Sequence, residues 1–306
     1  MKVLLVNSKI SECGVYQYGK RISNILNTES RYQFLNLETD NEEEFNCIIT
    51  SYNPDVIIYN WHTATMNWLS IQKTHELSSK KQFFIFHELN LPTHLHNNGY
   101  LTADMSSDPS NKLYPLLRPI FDFNSEKQKN DIPIVGSFGF GFDNKGFEKI
   151  CNLVSNEFDE AIIRLHITNP FYGDYSGRTT SNIIDRCKKN ITNSNVKIEF
   201  TTNFLSDDEI LKFLNSNSIN IFLYDDMHGR GLSSVIDYAV SVDTPLAVNN
   251  SYMFRHITKE TPDISISNNN NLKQILNNDV DYVKYYRSKW STKNFKDNLY
   301  NIINNV

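Results

Sequence analysis

Short apolar runs, each five to seven residues long, recur along the chain with amphipathic stretches between them. Residues 2–7 (KVLLVN) are apolar and β-branched and predict a buried first strand. A loop through Ser8 to Val15 and a helix over about residues 16–26 follow. Further strands are expected at residues 32–37, at 55–60 behind the helix-ending Asn53-Pro54 pair, and at 82–88. Strands alternating with helical segments imply βαβ units and a parallel sheet. Between residues 111 and 131 the texture changes. Two prolines, Pro115 and Pro119, and a charged stretch from Ser125 to Asp131 predict a linker or inter-domain crossing.

A second α/β series starts at Ile132. Its strands are expected at residues 133–138, 161–167, 196–200, 219–224 and 244–248. A helix is expected to run to about Val154, another over 181–190, and a third to begin at Ser206, where Glu209 completes a capping box. The tail, residues 282–306, has a helical pattern in which Trp290, Phe295, Leu299 and Ile302 share one face. The fold class is therefore α/β with two Rossmann-like domains, 1–125 and 132–280. A C-terminal helical segment, 281–306, is available to pack back on the first domain.

Candidate chemistry sits at the strand ends. After the strand at 219–224 comes His228-Gly229-Arg230-Gly231-Leu232-Ser233-Ser234-Val235-Ile236-Asp237. Gly229 and Gly231 allow a close backbone approach to a ligand, and Ser233 and Ser234 stand where a helix N-cap is expected. Backbone N–H groups at a helix start suit a phosphate. Earlier, Gly139-Phe140-Gly141-Phe142-Asp143-Asn144-Lys145-Gly146 combines flexible backbone with one lysine at a helix start, which suits a diphosphate. The Gly-Lys-Ser/Thr ending of a Walker A loop is absent. In the first series Asn60, His62, His87 and Glu88 follow the third and fourth strands, at the edge where open parallel sheets bind ligands.

Composition narrows the function classes. A net charge of −5 and a pI near 5.9 give no reason to expect nucleic acid as a general partner. Cys13, Cys47, Cys151 and Cys187 are too scattered to form paired metal ligands, and a reducing cytoplasm is their expected home. No apolar run reaches the length of a membrane span, and the N-terminus reads as a strand, so no transmembrane segment is expected.

These features together resemble the GT-B glycosyltransferases, most closely the retaining, family 4-like branch of glycosyl transferases group 1. The segment from Gly136 to Phe147 is similar to that family's strand-loop-KG element, whose lysine binds the donor diphosphate. Residues 228–232 are similar to its EGFGL element, and Pro245-Leu246-Ala247-Val248 to the strand that follows. Gly14-Val15 resembles the first-loop glycine near the donor phosphate, and His87 the histidine that faces the reacting sugar. The resemblance implies a nucleotide-sugar donor, a saccharide or other glycosyl acceptor, no metal or other cofactor, and retention of configuration. The donor is expected in a cleft, mainly against the second domain. It implies His87, Lys145 and His228 as catalytic residues. Gly14, Gly139, Lys145, Gly229, Gly231, Leu232, Ser233, Ser234 and Asp237 would bind the donor, Asp237 at the ribose.

The sequence departs from the family pattern at the paired acids. His228 occupies the first position, Ile236 the second by simple counting, and Asp237 lies one residue on. Asp225 and Asp226 precede the glycine turn, and the arginine that accompanies the family's lysine is missing. Two other readings share the fold. One is a sugar-nucleotide 2-epimerase, with Glu88, Asp104 and Asp225 as acid/base candidates. The other is a non-catalytic binding protein.

Overall fold

Within each apolar run the side chains alternate between two faces, and both faces are covered. In a computed structural model the described residues are 1–88, 91–104, 109–127, 129–170, 174, 176–227, 229–266, 270–278 and 281–306. They divide into two units: Met1–Pro119 with Gly229–Leu232 and Trp290–Val306, and Ile120–His228 with Ser233–Lys289.

The first unit runs β1 (Lys2–Asn7), α1 (Gly14–Leu26), β2 (Gln33–Glu38), α2 (Glu42–Tyr52), β3 (Val56–Trp61), α3 (Ile71–Glu76), β4 (Lys81–Phe86), β5 (Gly99–Thr102) and β6 (Leu113–Pro115). All six strands are parallel, in the order β2-β1-β3-β4-β5-β6. Val3, Leu5, Ile58, Phe83 and Ile85 face one way, onto Tyr18, Ile22 and Leu26 of α1. Leu4, Val6, Ile57, Tyr59 and Phe84 face the other way, onto Phe45 of α2. A period of two with both faces buried explains why these strands read as continuous apolar runs.

Two strands here lie outside the sequence prediction, and one corrects it. The stretch expected to be linker contributes β6, the edge strand of the sheet. Pro115 ends it, which the edge position tolerates because a missing N–H there breaks no inner ladder. Gly99 opens β5 because the Tyr114 ring lies where its Cβ would stand. Leu116, Arg118 and Ile120 are buried as well, so the crossing is packed rather than loose.

The second unit runs β7 (Ile134–Phe140), α4 (Phe147–Glu157), β8 (Ala161–Thr168), α5 (Arg178–Lys189), β9 (Val196–Thr201), α6 (Asp207–Asn215), β10 (Ile219–Phe222), α7 (Val235–Ala239) and β11 (Leu246–Val248). Its five strands are parallel, in the order β11-β10-β7-β8-β9. The capping box expected at Ser206 and Glu209 opens α6. The helices α8 (Arg255–Thr258), α9 (Leu272–Asn277) and α10 (Asp281–Lys289) complete the unit.

The tail is not one helix. Ser291 accepts from the Asn294 N–H and starts α11 (Thr292–Asn305), separate from α10. Helix α11 belongs with the first unit, where Phe295, Leu299, Ile302 and Ile303 join the core over α1. Burying four such side chains is worth roughly 1.5–3 kcal/mol each, and Asn298, which accepts from the Leu117 N–H and donates to the Pro115 carbonyl, ties the helix to the segment after β6. Among the described residues no helix is long and apolar enough to cross a membrane.

Candidate functional site

The C-terminal edge of the first sheet holds a chain of buried amides. Strand register pairs Val6 with Tyr59, which brings Asn7 and Asn60 side by side at the strand ends. Both are fully buried. Asn7 Nδ2 donates to the Tyr16 carbonyl at 3.1 Å, and Asn60 Nδ2 donates to Asn7 Oδ1 at 2.8 Å and to the Val15 carbonyl at 2.6 Å. Helix α1 crosses directly over the pair. A Cβ on Gly19 would lie 2.5 Å from Asn60 Nδ2 and 2.6 Å from Asn7 Oδ1, so this approach requires glycine. Beyond β4, His87 Nε2 lies 2.7 Å from Asn60 Oδ1, and the Tyr18 ring meets the imidazole edge-on at 5.1 Å. Arg21 and Arg118, both buried, flank Tyr18 at 5.6 and 5.3 Å from its ring centre.

This setting keeps His87 neutral. Burial first, then the positive charges of His62, Arg118 and Arg21, push its pKa down to about 3. In the second unit burial likewise lowers His166 to about 4, against an opposing pull from Glu209; Thr201 and Thr168 hydroxyls hold its two nitrogens at 2.7 and 2.9 Å. Both histidines have folded-state values below their unfolded value. The unfolded chain therefore binds more protons between about pH 3 and 6.5, and stability falls as pH falls through that window. At pH 5 each is expected to cost about 1–2 kcal/mol relative to pH 7. Urea unfolding at the two pH values checks this. His166→Gln should flatten the dependence, and an unchanged slope in that variant would refute the assignment.

The glycine turn at residues 229–232 groups with this same unit. Arg230 donates to Glu88 Oε1 at 2.8 Å, and His62 Nε2 lies 3.6 Å from the same oxygen. A Cβ on Gly231 would strike the His87 carbonyl oxygen. The close approach that Gly231 permits here is to the protein's own backbone at His87. Gly229, with φ at +86°, has open space around it. Gly14 starts α1 at the surface, and Cys13 before it supplies no side-chain cap.

In the second unit the loop after β7 makes a short 3₁₀ turn, Asp143–Lys145, closed by Gly146 at φ +67°. A Cβ on Gly146 would collide with the Leu223 carbonyl, so the turn seats directly on the segment after β10. Asn144 clamps the same segment through its carbonyl, which accepts from the Asp225 N–H at 2.9 Å. The turn delivers the Lys145 ammonium 4.0 Å above the Tyr224 ring centre. Tyr224 is buried, its hydroxyl makes no hydrogen bond of good geometry, and Ser233 is its polar neighbour. Burial raises the phenol well above its ordinary value. A Cβ on Gly139 would lie 3.7 Å from that hydroxyl. Lys145, Gly139 and Tyr224 therefore converge, and Tyr224 is a residue that sequence reasoning passed over as the last apolar position of a strand.

Other expected contacts are placed differently. The Ser233 N–H is already bonded to the Met253 carbonyl at 3.1 Å, and Ser234 stands at the N-cap without a side-chain bond. Helix α7 has only five residues, so its dipole is small. Asp237 is turned inward with no exposed surface, because α7 buries all of its residues. Leu232 is half-buried in the glycine turn. Asp225 is paired with Lys149, and Asp226 accepts from the Tyr252 N–H at 2.8 Å. Asp104 follows β5. His228 lies outside the described residues. Among the described residues no group of three or more His, Cys, Asp or Glu is arranged to hold a metal.

No protein-family model matches the sequence, and no curated protein sequence does. Solved structures do resemble it. Anabaena HepE, solved with UDP and glucose, aligns over 100% of both chains with a TM-score of 0.65 at 9% identity. AviGT4, a glycosyltransferase involved in avilamycin A biosynthesis, aligns over 99% of this chain and 96% of its own, with a TM-score of 0.63 at 12% identity. A mutant of S. aureus TarM, solved with fondaparinux, α-GlcNAc-glycerol and UDP, aligns over 81% of this chain at a TM-score of 0.56 and 13% identity. This alignment spans only 55% of TarM's length. Identities this low speak to architecture, and the two parallel α/β sheets agree with it: the chain has the GT-B fold.

Proposed function

We propose that the chain is a glycosyltransferase using a nucleoside-diphosphate sugar as donor. The observation that carries this reading is the Lys145 ammonium, which the turn closed by Gly146 holds over the Tyr224 ring, with Gly139 near the Tyr224 hydroxyl. In the reaction an acceptor hydroxyl attacks the anomeric carbon while the bond from that carbon to the donor phosphate breaks. The diphosphate departs with the bonding electron pair, and the hydroxyl proton passes to it or to water. Negative charge grows on the diphosphate as the bond breaks, so a fixed cation there stabilises the transition state more than the bound donor. Neutral His87 offers a nitrogen lone pair to a hydroxyl of the transferred sugar. The acceptor is a saccharide or other glycosyl acceptor, and retention follows from the family resemblance alone.

UDP is the first nucleotide to try, because HepE was solved with it. The test is a thermal-shift panel with UDP, GDP, ADP and CMP and their sugar conjugates. A ligand at about 100 times its Kd should stabilise the fold by roughly 2.7 kcal/mol. A selective shift, followed by transfer of labelled sugar to an acceptor, is the expected result. Absence of any shift would overturn the proposal. Burial of Asp237 favours a second reading, a binding protein without turnover, which predicts a shift with no product. Of the three acid/base candidates for the epimerase reading, Glu88 and Asp225 are engaged in ion pairs.

A further inference from the structure

We infer that Asn60 is a positioning residue that fixes His87 in its Nε2–H tautomer, so that Nδ1 is always the acceptor nitrogen. Two main-chain carbonyls fix the orientation of both amides. Those of Val15 and Tyr16 only accept, and they cannot turn round. The Tyr16 carbonyl therefore requires the Nδ2 of Asn7 at 3.1 Å, which turns Asn7 Oδ1 toward Asn60. Asn60 then meets two acceptors on one side, Asn7 Oδ1 at 2.8 Å and the Val15 carbonyl at 2.6 Å, which use both hydrogens of its Nδ2. Flipping Asn60 would set oxygen against oxygen twice in a buried site, which costs more than any single bond gained. Its Oδ1 must face His87, and an oxygen 2.7 Å from Nε2 requires a proton on that nitrogen.

The consequence is a direction for recognition. A neutral imidazole with Nε2 committed to Asn60 can only accept at Nδ1. The low folded-state pKa, about 3, means that this does not change across the physiological range. Under the transferase reading, a hydroxyl of the transferred sugar donates to Nδ1, and a deoxy or fluoro replacement of that hydroxyl is discriminated against. Gly19 belongs to the device too, because any side chain there would displace both amides.

The inference rests on the transferase reading only for this catalytic consequence; the tautomer belongs to the protein itself. It is read in the wild-type protein without substrate, by imidazole ¹⁵N spectra of histidine-labelled protein with His87 assigned by its loss in His87→Gln. A protonated Nε2 and a bare Nδ1, unchanged from pH 7.5 to about pH 5, are expected from the lowered pKa. A protonated Nδ1, a tautomer mixture or a charged ring at about pH 6 would overturn the inference, whatever the enzyme assay gives. In Asn60→Ala the His87 signals should move to a mixture of tautomers; signals identical to wild type would show that Asn60 is not the cause. Where transfer is measurable, Asn60→Ala should lower kcat by about 10- to 100-fold with donor KM little changed. Should Asn60→Ala fail to fold, the wild-type spectrum still decides the tautomer.

Discussion

Lys145→Ala is expected to lower turnover roughly 100- to 1000-fold, the usual effect of removing one preorganised group from a site of developing charge. Donor KM should change much less, because the charge on the diphosphate is greatest in the transition state. The size of the effect follows from how the ammonium is held. A three-residue turn, a glycine in the left-handed region and an aromatic ring 4.0 Å away fix it in place. A lysine so anchored needs little reorganisation during the reaction. Lys145→Arg should recover only part of the activity, since a planar fork does not occupy the position of a compact ammonium. Steady-state kinetics with the nucleotide identified by thermal shift make the comparison. Near-normal kcat in Lys145→Ala would remove the diphosphate assignment.

Gly146→Ala carries the largest expected effect on stability, about 2–5 kcal/mol, from left-handed backbone strain plus overpacking. The strain arises at φ +67°, and the overpacking arises because the new methyl meets the Leu223 carbonyl, which belongs to backbone and has little room to move. Gly229→Ala is the contrast. Its φ of +86° gives the strain, but open space surrounds it. It should therefore cost only about 1–2 kcal/mol. Urea midpoints of the two variants separate packing from backbone strain. Equal losses would mean that the seat on Leu223 contributes nothing. Because Gly146 directly follows Lys145, its variant should also lose turnover at temperatures where it remains folded.

The fold was legible where local pattern and tertiary need coincide. Strands buried on both faces are apolar at most positions, so β1, β3, β4, β7, β8 and β10 stand out as runs, and the helices between them follow from their spacing. β5 and β6 were not legible. They are short, one holds a proline, and only an edge position makes that acceptable. The helical character of the tail is legible, but the break at Ser291 is a capping event that a periodicity count does not register.

At the candidate site the order of residues along the chain is enough to show that polar residues follow the strands, that a glycine and a lysine punctuate the loop after β7, and that two glycines follow β10. These are properties of neighbours along the chain. What each one meets is set by folding. The amide pair beside His87 depends on the register of strands 53 residues apart, which nothing local encodes. The partner of Gly231 is a carbonyl 144 positions away in sequence, at His87, which no local pattern announces. Asp237 looks like an available acid along the chain and is buried in space, because a five-residue helix is turned inward on all sides. Periodicity fixes which face a residue takes; which atoms stand opposite that face is set by packing between segments that the chain brings together only when folded.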